Sequence, residues 1–195
     1  MSLFMSLLRF YRPIPVRCMM VIVGVFLVAF VAGYRFAPQL GKKEWFTGHP
    51  PVNFRDTPYV PIHTPLSEQH QAFLHIFTYN TLATAQILSF GTVIFLFSFF
   101  RIAMVGCPLG VAFWYLGSPW LWARFFLPHA LVELPVLFYA GAISMNSGLR
   151  WLVGGPEGRW RILKRELAAN LKLFLLLIPF VIFAALLEAY VTNRW

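Results

Sequence analysis

The residues of this chain best suited to chemistry are few, and they sit where charge is scarce. In the block Phe126-Leu127-Pro128-His129-Ala130-Leu131-Val132-Glu133-Leu134-Pro135, His129 and Glu133 are four apart and stack on one helix face. A carboxylate there accepts from the imidazole and lowers the cost of placing either group in an apolar medium. Glu188 and Asn80 lie at a similar depth in two other apolar runs. Three chemistries are open to this quartet. It can act as interhelical glue, as a proton or ion relay, or, through His129, Glu133 and Glu188, as a His-Glu-Glu metal or hydrolytic site. A zincin motif needs a second histidine four residues after the first, and position 133 is Glu. No Ser-His-Asp, Cys-His or paired-Asp pattern lies in the apolar runs, and no Gly-rich phosphate loop is present, which excludes nucleotide chemistry. The expectation is a packing cluster, with no catalytic residue, no metal and no cofactor.

The elements that must position these residues follow from the distribution of charge. Residues 18–34, 73–100, 102–123 and 173–187 contain no Lys, Arg, Asp or Glu, and 125–149 contain one, Glu133. A helix needs about 20 mostly apolar residues to cross the hydrocarbon core. The apolar runs are continuous rather than alternating, which selects helices over a barrel. The fold class is therefore all-α. It is a polytopic membrane helical bundle forming a single domain, with about five transmembrane helices near 17–34, 77–100, 102–118, 127–149 and 171–189. With 59% hydrophobic and 12% charged residues, the chain cannot coat a water-facing globule, which excludes a soluble enzyme, and its apolar content excludes a disordered chain. The first span follows Arg9, Arg12 and Arg17 and is longer than a usual signal core, so it is expected to be an uncleaved anchor.

Most of the net charge of +9 is accounted for by topology. Basic residues gather in the amino-terminal arm, at Arg101 and between 150 and 172, which fall on one side if the chain spans five times. That side is the cytoplasm, and the carboxyl terminus is then extracytoplasmic. Nucleic-acid binding is not needed to explain the charge. The loop at 35–76 lies outside and is proline-rich. Its histidines His49, His63, His70 and His75 match no standard metal spacing. Cys18 and Cys107 suit neither a disulfide nor a metal site.

Two further features concern packing and the surface. Gly106 and Gly110 flank Pro108 and form a small-xxx-small step, which would favour a homo-oligomer. Residues 154–171 read as an amphipathic interfacial helix with Pro156 in its first turn. Trp160, Leu163, Leu167 and Leu171 form its apolar stripe, and Arg161, Lys164 and Arg165 face lipid headgroups or a partner.

The order of these features resembles the stage II sporulation protein M family over about residues 70–195. The specific parts are Pro128-His129…Glu133-Leu134-Pro135 and Ala184-Ala185-Leu186-Leu187-Glu188-Ala189-Tyr190. The resemblance implies a multi-span prokaryotic cytoplasmic-membrane protein that works in a complex. The family member active in sporulation recruits peptidoglycan-remodelling enzymes and is not itself known as the hydrolase. The function expected here is accordingly a scaffold or recruitment subunit of an envelope complex, bound to lipid and to other membrane or envelope proteins. The alternative is a transporter or channel subunit that uses the His/Glu cluster as a relay.

Overall fold

A computed structural model describes residues 15–40 and 66–191, with backbone alone at a few positions. The described residues form five α-helices: α1 (Val16–Leu40), α2 (Leu66–Val93), α3 (Phe95–Leu116), α4 (Pro119–Val153) and α5 (Arg159–Leu186). A π-helical turn, Leu187–Val191, continues α5. The all-α expectation holds. Among the described residues, four segments are long and apolar enough to cross a membrane: Val16–Gln39, Phe95–Leu116, Phe126–Val153 and Arg159–Tyr190. α2 has comparable length, at 28 residues. Its Asn80, Thr84 and Thr92 make it more polar, and all three are buried in the bundle.

The helices alternate in direction. α1 and α3 run parallel, with Phe26 beside Gly106 and Phe30 beside Gly110. α4 runs against α1, with Phe138 on Phe26 and Trp122 on Phe30. Burial follows the logic of a bundle in lipid, where close approach matters more than hiding bulk. Ala37, Ala140, Ala142, Ser98, Ser144 and Ser147 are buried, while Val28, Phe100, Leu131 and Phe183 face outward. One apolar core, including Ile22, Ile87, Leu137, Ile143, Leu173 and Leu177, fills the middle.

Several boundaries differ from the sequence expectation. The helix expected over 77–100 ends at Val93, and α3 starts at Phe95, so Arg101 lies inside α3 and not in a turn. The break falls at Ile94, which has extended backbone (φ −125°, ψ 93°). No proline or glycine marks it. Gly91 makes the reversal close, because a Cβ there would strike the Ser98 and Ser144 hydroxyls. The loop expected at 35–76 is shorter at both ends, since α1 reaches Leu40 and α2 begins at Leu66. His49 and His63 lie outside the described residues, whereas His70 and His75 stand on α2.

The stretch 154–171 is not a separate interfacial helix. From Arg159 it is continuous with the last span, and Pro156 lies in the preceding turn. Gly154 (φ 79°) and Gly158 (φ 86°) bracket that turn in backbone regions that favour glycine. The expected apolar stripe is also displaced. Trp160 and Leu171 are exposed, and the face that packs inward is Ile162, Leu163, Glu166, Asn170 and Leu173. Glu166 reaches inward because Ser147 donates to its carboxylate at 2.8 Å.

Gly106 and Gly110 do provide a close helix approach, but within the chain. A Cβ on Gly106 would stand 2.7 Å from the Phe26 carbonyl oxygen, and one on Gly110 would run into the Phe30 carbonyl. Gly33 on α1 answers from the other side against the Cys107 carbonyl. This face is thus committed to α1, and it no longer argues for a homo-oligomer. Pro108 is accommodated on the exposed side of α3, which continues through it.

Candidate functional site

The four polar residues expected to converge do so. α4 is 35 residues long and starts with Pro119 at its first turn, after the left-handed Gly117 ends α3. At 1.5 Å per residue it is about 52 Å long, well beyond the hydrocarbon core of about 30 Å. Pro128 and Pro135 lie within it. Each removes one backbone donor, which leaves the carbonyls of Arg124 and Leu131 without their helical partners. His129 and Glu133 project from this segment.

Glu188 comes from the π-helical turn. A π turn adds one residue per turn relative to an α-helix and rotates the following side chains, a geometry common at functional sites. Here Ala189 turns into the protein and Glu188 faces α4. Ligand-type atoms of His129, Glu133 and Glu188 all lie within 4.8 Å of one another. The Asn80 amide on α2 donates to the Glu133 carboxylate.

Together these residues line an open cavity of about 330 Å³. His75, Tyr79, Phe126 and Leu109 complete the polar and apolar parts of its wall. His75 is a member of the site that the sequence reading left among scattered loop histidines. No sequence signal marks it, since five residues from Asn80 falls off one helix face. His129 is 7% exposed, and its Nδ1 is buried without a hydrogen-bond partner. Among the described residues no Arg or Lys lines the cavity. The floor is tight and mostly apolar, formed by Thr84, Val136, Leu137, Val181 and Ala184 below Asn80 and Glu133.

A second polar cluster lies at the other end of the bundle, and sequence reasoning missed it. Glu166 is 1% exposed, with Arg150 at 3.7 Å and Arg165 at 3.9 Å. The Asn170 amide donates to Thr92 Oγ1 at 2.7 Å. The Trp151 indole donates to the Thr92 carbonyl at 2.6 Å, satisfying an orphan carbonyl in the last turn of α2. Ser98 and Ser144 share a hydrogen bond of 2.7 Å. Glu166 and Asn170 share a face at i, i+4, but Lys164 and Arg165 beside them make the segment read as a solvated surface. The expected surface group behaves differently: Trp160, Arg161, Lys164 and Arg165 are exposed. Arg165 bonds Glu157 at 2.8 Å.

A multi-pass helical membrane protein with a polar cavity lined by α2, α3, α4 and the π turn that continues α5 is the class these features define. The sequence model of the family described as stage II sporulation protein M matches residues 19–193, nearly the whole chain including α1. The chain belongs to that family. No curated protein and no solved structure matches it.

Proposed function

We propose that this protein is a scaffold or recruitment subunit of a multiprotein envelope complex in a prokaryotic cytoplasmic membrane, without catalytic activity of its own. In this reading the amino terminus and the basic segment around Arg159–Arg165 face the cytoplasm, following the excess of basic residues there. The segment 41–65 and the cavity face outward. Trp160, Arg161, Lys164 and Arg165 meet lipid headgroups or a cytoplasmic partner. Nucleic acid has no part in it.

The observation that carries this reading is the layer beneath the cavity. Ile87, Val136, Leu137, Leu173, Leu177 and Val181 pack as one apolar core between the two polar clusters. An open cavity above such a layer is suited to receiving a group. The test is co-purification of the full chain from native membranes, paired with flux measurements in proteoliposomes. The expected result is a defined complex of fixed stoichiometry and no conductance or proton flux.

A relay is the second reading, favoured by the placement of two carboxylates and an imidazole on the cavity wall. It predicts a proton-coupled flux that Glu133→Gln abolishes while leaving complex formation intact. That outcome would sink the scaffold reading.

A further inference from the structure

The cavity cluster has a composition that packing does not explain. Two carboxylates face each other with no cationic side chain on the described wall. Mutual repulsion and loss of water both make such a pair costly, unless something positive sits between them. His129 lies beside them as a third possible ligand, and its Nδ1 is buried and has no hydrogen-bond partner. A buried imidazole nitrogen normally has one.

The supporting geometry is that of a ligand set. His129 and Glu133 stack at i, i+4 on one rigid helix, and Glu188 is brought across by the π turn. In a tetrahedral zinc site, ligand atoms stand roughly 3.4 Å apart, because each bond is about 2.0–2.2 Å. The spacing here, within 4.8 Å, exceeds that by no more than about 1.4 Å. The Asn80 bond to Glu133 supplies the kind of outer hydrogen bond that orients a metal-binding carboxylate.

The donor set selects the ion. Calcium and magnesium take six or more oxygen ligands, whereas one imidazole with two carboxylates suits a first-row transition metal. Three protein ligands beside an open cavity leave a coordination position free. We propose that His129, Glu133 and Glu188 bind one divalent transition-metal ion of the zinc class, with its open position facing the cavity lined by His75 and Tyr79. The site does not depend on the recruitment reading. It offers an incoming carboxylate, carbonyl or imidazole a place to bind.

The test uses the tag-free full chain in detergent, stripped with chelator, then titrated with Zn²⁺ by calorimetry and counted by elemental analysis. One ion per chain is expected, with affinity at least ~10-fold weaker in Glu133→Gln and in Glu188→Gln, since each removes a charged ligand. Co²⁺ should give a visible absorption band in the wild type that His129→Ala alters. Helicity and elution volume establish that each variant is folded. If His129→Ala fails that check, the zinc affinities of Glu133→Gln and Glu188→Gln decide. Equal zinc affinity in the wild type and in folded Glu133→Gln and Glu188→Gln proteins would overturn the proposal. So would tighter binding of Mg²⁺ or Ca²⁺ than of Zn²⁺.

Discussion

The bundle holds a polar cluster toward each end, and the two treat buried acid in opposite ways. Glu166 is surrounded by compensation: the Ser147 hydroxyl, two arginines within 4 Å, and packed neighbours. Glu133 and Glu188 have each other, one amide from Asn80 and an open recess. Both clusters are built from the same helices, so the difference is not one of available scaffolding. A closed, neutralised cluster holds helices together. An open, unneutralised one spends stability on keeping a site available.

Substitutions can break or sharpen this contrast. The largest effect is expected at Glu166→Ala, which leaves a cavity and removes the acceptor of a buried hydroxyl, at a cost of about 2–4 kcal/mol. Chemical denaturation in detergent measures it, and a cost no greater than that of Glu133→Gln would erase the distinction. Next comes Asn170→Leu, expected to lose about 1–3 kcal/mol because the donor to Thr92 disappears from the dry interior. In metal-free buffer, Glu133→Gln should change stability by no more than about 1 kcal/mol, since relief of repulsion offsets a weakened hydrogen bond. Adding zinc separates the proteins again. At 100 times its dissociation constant, zinc should stabilise the wild type by about 2.7 kcal/mol and the variant by far less. The smallest effect is expected at Lys164→Ala, within about 0.5 kcal/mol, as for exposed surface positions generally.

The two clusters also differ in how visible they were from sequence. His129 and Glu133 stand out because they are ionisable groups in an otherwise uncharged run at helical spacing. Glu188 and Asn80 follow by depth alone. Glu166 was hidden by its neighbours: Lys164 and Arg165 beside it make the segment look like a solvated face, and only tertiary packing turns one acid inward. The same charges led to an interfacial helix where a single helix continues into the bundle. The reversal at Ile94 was invisible for another reason. It lies in an apolar run with no proline, and what accompanies it is a close approach of Gly91 to residues on two other helices. The number and type of elements were readable because lipid imposes a length and a polarity on each. Where one helix gives way to the next, and which face it turns inward, depends on neighbours far away in sequence.

The parallel contact of α1 with α3 has a consequence for how the protein is made. Phe26 meets Gly106, 80 residues further along (106 − 26). When α1 leaves the ribosome and enters the bilayer, the surface that will receive it has not been synthesised. It must be stable in lipid by itself, as an independently inserted helix can be. α1 meets that requirement, since no charged residue interrupts it between Cys18 and Tyr34. Its notch at Gly33 stays unfilled until α3 arrives alongside. Closure of α1 against α3 is therefore a step that follows insertion, and a bulky residue at Gly33 or Gly110 would leave the chain inserted with this contact unmade.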